Sequence, residues 1–393
     1  MRKFIISTLI IACFLLCSCG EAAQRESESP RTVEPEAVVS TDESSVINTH
    51  NRMLALNGEF YTEQVMTAAF ADFRLNFADF DTLETTAVCS KPNCSHSDPE
   101  SCSAFGMWNH PTVVDGKLYF FKNDPDWGTE QTVNIFRADL DGTGRVKLAE
   151  IKNCAAEYTA PIAIIGKTLY FTASESEIDD DGFTASGFKT VRLYSFNCET
   201  DKAETLCELC RGYDTSAEIR GIFDAKLYIR ISYKDKEQEP LDFSTATDED
   251  WSNYIAEGQK MTVSAYKVYD LTGGELGDSP YEIDPVAEFF ACGGILCYQA
   301  GDKGVFVKQG GEAVETDFVP NIGSCLVNGF LFNTFYGTAL DTNTLEVRRL
   351  NADIVTSGDF ILDYRDGCYV VRTLIDYKSY RRLSPEEIFE EAS

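Results

Sequence analysis

DGKLYFFKN (Asp115–Asn123) followed by VNIFRADLDGTGRVKLAEI (Val133–Ile151) carries the decision about the fold. A turn pair opens a short aromatic-aliphatic run. A second run follows, then Asp141-Gly142, then a third run. Short apolar runs punctuated by Asp-Gly are the signature of antiparallel hairpins. The same grammar returns along the chain. It opens NGEFYTE at Asn57, GKTLYFTAS at Gly166, DAKLYIRIS at Asp224, GGILCYQA at Gly293, NGFLFNTF at Asn328 and SGDFILDY at Ser357. With Asp115 that makes seven occurrences, spaced irregularly from about 30 to about 70 residues. VRLYSFNCETDKAETLCEL, SAYKVYDLTGGELG and GTALDTNTLEVRRL supply further hairpins of the same kind.

No long amphipathic pattern separates the strand pairs, so crossover helices are absent from the expectation and the sheets are antiparallel. Four short strands in about fifty residues describe a propeller blade. The expected class is therefore all-β, a β-propeller of about seven blades, with six as the alternative. A pair of β-sandwiches or a β-solenoid fits the hairpin grammar too. The strand near Phe60 is expected to complete a sheet with strands near the C-terminus, removing exposed edges. Two helical pieces are predicted. Within the insertion Ser232–Met261, Thr247 caps a helix carrying Trp251, Tyr254 and Ile255 on one face. Near the end, Ser384, Pro385 and Glu387 make a capping box for a short helix.

The N-terminus reads MRKFIISTLIIACFLLCSCGE. Arg2 and Lys3 precede an apolar run, Phe4 to Leu16, too short to span a bilayer comfortably. Leu16-Cys17-Ser18-Cys19 has the form of a bacterial lipobox: an apolar residue, two small ones, then the cysteine that takes the lipid. Cys17 is a poor acceptor, because Leu15 and Leu16 precede it. An ordinary signal peptide, releasing a soluble protein, is the alternative. The expected organisation is a signal over 1–18, a lipidated Cys19 with an acidic tether over 19–50, and a propeller domain over 51–393. The tether is rich in Glu, Ser, Thr and Pro and lacks aromatic residues, so it cannot offset its ordering entropy. These features imply an extracytoplasmic protein held at the cell membrane by its lipid.

Net charge is −30, and losing Arg2 and Lys3 with the signal makes it −32. Such a field repels phosphate backbones and anionic lipid, which excludes nucleic acid as a partner. Of fourteen cysteines, all but Cys13, Cys17 and Cys19 lie beyond the anchor, and the remaining eleven cannot all pair within one chain. Cys297 and Cys368 sit in strand-like apolar runs, as small buried hydrophobes do. Export of so many free thiols points to a habitat without oxygen.

Lipobox, acidic tether, the segment VCSKPNCSHSDPESC (Val88–Cys102) and the repeated G-K-L-Y-F strands occur together here. In this combination the chain resembles β-propeller lipoproteins of anaerobic Gram-positive bacteria. Its ADLDGTG turn is similar to turns in propellers of the TolB and lipoprotein-receptor kinds. The resemblance spans nearly the whole chain and implies fold and location. It implies no substrate.

Chemistry concentrates in Cys89-x4-Cys94-x-His96-x5-Cys102. Thiolates and imidazole are the ligands of tetrahedral zinc, and four of them close a structural site. The spacing lacks the C-x2-C knuckle of common zinc fingers. A disulfide within the cluster, or reduced cysteines with no partner, are the other readings. Cys207-x2-Cys210 has redox spacing but does not open a helix, so a local disulfide or a second pair of metal ligands fits it better. Glu177, Asp179 and Asp181-Gly182 imitate the start of a calcium loop, but Phe188 stands where a bidentate Glu is required. Only His50, His96 and His110 exist as bases, and no G-x-S-x-G elbow is present. Two functions follow. The first is a surface-tethered scaffold binding a protein or glycan ligand. The second is a hydrolytic, carbohydrate-active propeller using paired carboxylates.

Overall fold

The computed structural model describes residues 45–48, 52–55, 57–66, 71–98, 101–106, 110–123, 131–156, 160–178, 185–241, 245–321, 323–373 and 379–390. The signal, Cys19, the tether as far as residue 44, His50 and the Asp179–Gly182 stretch lie outside them.

Strands dominate, and they follow one another in antiparallel series. The first contains β2 (Arg52–Ala55), β3 (Gly58–Met66), β4 (Ala71–Asp79) and β5 (Thr85–Ala87), paired in that order. The second contains β6 (Thr112–Val114), β7 (Lys117–Asn123), β8 (Thr132–Asp139) and β9 (Val146–Lys152). A larger, thirteen-stranded sheet comes next. Its ladders resolve into three series. One is β11 (Ile162–Ile165), β12 (Thr168–Ile178), β13 (Ala185–Asn197) and the first half of β14 (Lys202–Phe223). Another is the second half of β14 with β15 (Lys226–Lys234), β16 (Thr262–Asp270) and β17 (Leu276–Asp278). The third is β18 (Phe289–Cys292), β19 (Ile295–Ala300), β20 (Lys303–Lys308) and β21 (Ala313–Thr316). A sixth series contains β22 (Cys325–Val327), β23 (Phe330–Asn333), β24 (Thr338–Asp341) and β25 (Val347–Arg349). The last has three strands, β26 (Phe360–Arg365), β27 (Cys368–Arg372) and β28 (Tyr380–Leu383).

Two glycines let the large sheet change series. At Gly212, φ is +152° and an added Cβ would lie 2.5 Å from the Lys234 carbonyl oxygen. There β14 leaves β13 and takes up β15. At Gly221 an added Cβ would lie 2.3 Å from the Ala291 Cβ, so only glycine allows the single parallel bridge from β14 to β18.

Between the first and second strands of most series the turn is the same. Asp115-Gly116, Asp224-Ala225, Gly293-Gly294, Asn328-Gly329 and Asp366-Gly367 all have positive φ at both positions. These are two-residue turns whose twist matches the strands they join. The seventh repeat is therefore out of phase with its sequence reading. Its equivalent turn is Asp366-Gly367 in RDGCYVV, and SGDFILDY instead leads into β26. Asp141-Gly142 is also not a two-residue turn. It lies in the longer loop between Asp139 and Val146, closed by the Asp139 amide on the Thr143 carbonyl oxygen at 2.9 Å.

Alternation explains the apolar runs. In β7, Leu118 and Phe120 pack with Phe60, Leu75 and Phe77 of the first series. Their neighbours Tyr119 and Phe121 pack with Leu169, Phe171 and Phe196 of the third. A strand covered on both faces needs apolar residues at successive positions, and each contributes about 1.5–3 kcal/mol on burial. Later gaps are filled likewise. Val191 and Leu193 meet Ile219 and Ile229, Tyr228 and Tyr266 meet Phe289 and Leu296, Cys297 and Phe306 meet Leu331 and Leu340, and Phe332 meets Ile361 and Tyr369.

The last and first series meet differently. Among the described residues the expected completion of one sheet by the strand near Phe60 and the C-terminal strands does not appear: there β3 pairs only β2 and β4. Side chains join the two series instead. Arg372 pairs with Glu59, and each side chain is only 3% exposed. Tyr380 donates to the same carboxylate at 3.0 Å. Arg365 reaches Asp81 at 2.8 Å, and Arg382 donates to the Phe80 carbonyl oxygen at 2.9 Å.

One further strand, β1 (Ser45–Asn48), precedes the first series. It pairs with β11 from Ser45↔Ile165 to Asn48↔Ile162, inside the segment read as tether. Val46 and Ile47, both β-branched, explain why this part of an otherwise polar stretch takes a strand. Also in this sheet, β10 (Ala155–Ala156) pairs β12. Both helices appear with the expected caps. In α1 (Asp248–Met261) Thr247 and Asp250 form a capping box, and in α2 (Pro385–Ile388) Ser384 and Glu387 do. Trp251 and Ile255 of α1 remain largely exposed, whereas Ile388 of α2 is buried. Among the described residues no helix is long and apolar enough to cross a membrane.

Candidate metal centre

The cysteine segment leaves β5 at the outer end of the first series. It has little hydrocarbon of its own, so backbone pairing and polar side chains place it. Val88 donates to the Leu75 carbonyl oxygen at 2.9 Å, and Leu75 donates to that of Ala104 at 2.8 Å. These bonds tie both ends of the loop to β4. Between them, Cys94 donates to the Lys91 carbonyl oxygen at 3.3 Å and Cys102 to that of Asp98 at 3.1 Å. Cys102, Ala104 and Phe105 form a small buried cluster against Val65, Ala87, Cys89 and Cys94.

This folding brings Cys89, Cys94, His96 and Cys102 together. Their ligand atoms all lie within 4.8 Å of one another. His96 Nδ1 stands 3.5 Å from Cys102 Sγ. A tetrahedral ion with ligands at about 2.0–2.3 Å sets neighbouring ligand atoms roughly 3.5 Å apart. A contraction of about 1 Å at the widest pair would therefore close the set. Backbone geometry serves the same end. Asn93 and His96 have φ of +59° and +52°. A histidine in that region is uncommon and carries strain, and here the twist aims its ring at the thiols. Arg74 holds the twisted residue by donating to the His96 carbonyl oxygen at 3.1 Å, and it is held in turn by Glu63 at 2.8 Å.

Two of the thiols, Cys89 and Cys102, differ. Burial opposes ionisation of Cys89, but Ser103 and the backbone amides of Lys91 and Ser103 outweigh it and bring the thiol down to about 7. Burial pushes Cys102 up to about 12, and its thiol neighbours Cys94 and Cys89 add to the effect. All three sulfurs are free, so the disulfide reading of the cluster does not hold. Metal-bound imidazoles usually donate their second nitrogen to an oxygen. Among the described residues, Nε2 of His96 finds no such acceptor.

Polar contacts that no local spacing announces tie the loop to the neighbouring series. Ser90 donates to Asp141 Oδ2 at 2.6 Å, and Ser103 donates to the Asp141 carbonyl oxygen at 3.0 Å. Arg145 donates to the Ser103 carbonyl oxygen, and Lys91 to that of Ser101. Asp141 belongs to the DLDGTG loop, and nothing in the spacing links it to a serine 51 positions earlier.

Other sequence candidates resolve into structure. Cys207 and Cys210 lie within β14 opposite Leu193 and Val191, and neither is bridged. Burial pushes them up to about 11 and about 12. They join no group of three or more metal-ligating side chains among the described residues. Cys292, Cys297 and Cys368 are free as well. His110 is buried at the head of β6, where its carbonyl oxygen accepts from the Thr112 hydroxyl at 3.0 Å.

No protein-family model matches the chain, and no curated protein does. Three solved structures illustrate what it is similar to. The β-propeller domain of the trilobed protease from Pyrococcus furiosus is 12% identical, with 88% of this chain and 92% of that one covered and a TM-score of 0.42. An acylaminoacyl peptidase from Pyrococcus horikoshii is 13% identical, over 84% of this chain and 49% of that one, with a TM-score of 0.45. An oligogalacturonate lyase from Vibrio parahaemolyticus is 9% identical, over 88% and 86%, with a TM-score of 0.33. At these scores the likeness carries no argument about activity.

Proposed function

We propose that the chain is a lipid-anchored, extracytoplasmic β-propeller of seven blades that serves as a binding scaffold and carries one structural zinc. The blades are the seven antiparallel series, and the support for them is that apolar side chains fill six successive gaps in chain order. Cys19 is the proposed anchor, and residues 19–44 the tether. Cys89, Cys94, His96 and Cys102 would hold the ion.

One observation carries the reading of this centre as structural: its donor set is complete without water. A catalytic zinc keeps an open position, whereas four protein ligands leave none. Of the three buried carboxylates among the described residues, Glu59, Asp72 and Asp359, Glu59 and Asp359 are each paired with an arginine, which suits support better than proton transfer.

Two measurements test it. Protein purified without oxygen is expected to contain one zinc per chain by elemental analysis, and Cys102→Ser to contain almost none. Zinc-free wild-type protein would overturn the centre. Separately, Cys19→Ala is expected to move the protein from the membrane to the soluble fraction. A variant as membrane-bound as the wild type would overturn the anchor.

A further inference from the structure

On the fourth series, Glu218, Arg230 and Tyr266 stand in one row across β14, β15 and β16, in the register Glu218↔Arg230↔Tyr266. Their face is turned to the fifth series, where the Tyr266 ring lies 5.0 Å from that of Phe289. Arg220 joins the row across a register shift between Ile219 and Gly221. It reaches Glu218 Oε2 at 3.2 Å, and Arg230 reaches the same oxygen at 2.9 Å.

The row is short of acceptors. Two guanidiniums share a single oxygen of one carboxylate. A guanidinium has five N–H donors. Arg220 is more than nine-tenths buried, with a side chain 7% exposed, and among the described residues Glu218 accepts from only its Nη1. Tyr266 is 5% exposed, and among the described residues its buried hydroxyl has no partner at all. In the ladder Tyr266 stands directly opposite Arg230. Burial is the main cause that raises its pKa, while Arg220 and Arg230 pull it back and Glu218 and Glu288 push it further up. Glu288, just before β18 of the fifth series, is a second carboxylate acting there. In this row the Tyr266 hydroxyl is the buried donor left unmet, which is unfavourable, and charged oxygens satisfy guanidinium donors best.

We propose that Arg220, Arg230 and Tyr266 form a binding site for an oxyanion, the carboxylate or phosphate group of a small ligand. The anion would accept from the free donors of Arg220 and from the Tyr266 hydroxyl, and Arg230 would lend charge from the more exposed side of the row. Tyr266 would act as the selective element, because it presents one directed donor on a ring fixed by Phe289. The site deepens the scaffold role proposed above and rests on it for its biological meaning. It depends on neither the zinc nor the anchor, so its failure would leave both of their tests untouched.

Titration of the full chain with sodium acetate, and separately with sodium phosphate, at constant ionic strength tests the site by calorimetry and melting temperature. Saturable binding of either anion is expected. Acetate alone would assign the ligand to carboxylates, and phosphate alone to phosphorylated molecules. Tyr266→Phe keeps the ring and loses the donor, so affinity should fall about tenfold, equivalent to about 1.4 kcal/mol. Arg220→Gln should abolish saturation, and Lys303→Gln, on an exposed strand end, should change nothing. Absence of saturable binding in the wild type, or equal binding in Tyr266→Phe, would overturn the proposal. Because Tyr266→Phe removes only an unpartnered hydroxyl, the test survives even if Arg220→Gln does not fold.

Discussion

Six gaps between consecutive series and the one between the last series and the first solve the same problem with different chemistry. In the gap between the second and third series, Phe121 and Phe171 meet edge to face at 4.8 Å within a continuous apolar cluster. Across the closing junction, the Glu59–Arg372 pair is buried to 3% on both sides, and Arg365 and Arg382 bind Asp81 and the Phe80 carbonyl oxygen. Hydrocarbon is non-directional: it rewards any close apposition of two sheets. A buried ion pair rewards one alignment and penalises others, because each charge stranded without its partner is costly. The six gaps thus supply most of the stability. The junction fixes which edge meets which, and that is what a chain needs where its ends meet without a shared strand ladder.

Loss of Phe121 tests the apolar side. Phe121→Ala should cost about 3–5 kcal/mol, read as a lower urea midpoint, and no second substitution in the facing series should restore it fully. Arg372→Met should cost a similar amount, about 3–5 kcal/mol, since it leaves Glu59 buried and unpaired. Here rescue is expected. Adding Glu59→Leu to Arg372→Met should return most of the lost stability, because a packed apolar pair often equals a buried ionic one. If the double variant is no better than the single one, the junction is an ordinary packing surface and the contrast fails.

The candidate metal centre stands between these extremes. Its loop bridges the first and second series through Ser90, Ser103 and Asp141, so zinc would reinforce a gap already filled by hydrocarbon. At a free zinc concentration a hundredfold above the dissociation constant, the ion would add about 2.7 kcal/mol. Chelation should lower the melting temperature by a few degrees and raise amide exchange in residues 89–106 and at the Asp141 loop. The rest of the strands should keep their protection. Global unfolding on chelation would show that the centre holds the fold itself.

Much of this was legible in the sequence. The two-residue turns announced themselves through Asp-Gly, Asn-Gly and Gly-Gly pairs, since those residues tolerate positive φ. Doubly covered strands such as β7 showed as unbroken apolar runs. The four residues of the candidate metal centre were readable because they fall within fourteen positions, Cys89 to Cys102. What stayed hidden depends on distance along the chain. Glu59 and Arg372 are 313 positions apart, and no local pattern pairs them. The phase of the seventh repeat was misread because SGDF contains the same turn residues as RDGC but stands one strand earlier. β1 left little trace in the sequence, because four residues with two β-branched side chains are a weak signal inside an acidic stretch.

The smallest effect belongs to a turn that recurs on the other side of the strand series. Asp79, Asn197, Asp270 and Asp341 each end or nearly end a third strand, and each side chain accepts from amides two and three residues on. Side chains of this kind mimic a backbone turn. At Asp270 the bonds from the Thr272 hydroxyl and from the amides of Gly273 and Thr272 bring the carboxyl down to about 2. Its folded value lies below its unfolded one, so the contribution is complete above the unfolded pKa and disappears as pH falls through about 2. Asn197 plays the same part without a titratable group. Asp270→Asn should therefore preserve the turn at neutral pH and remove this hairpin's share of the acid sensitivity, while Asp270→Ala should loosen residues 271–275 at every pH. Amide exchange across that hairpin between pH 2 and pH 5 would decide it. Equal loosening in the two variants would mean that charge, and not the accepting oxygen, holds the turn, and the likeness among the four turns would then be one of sequence only.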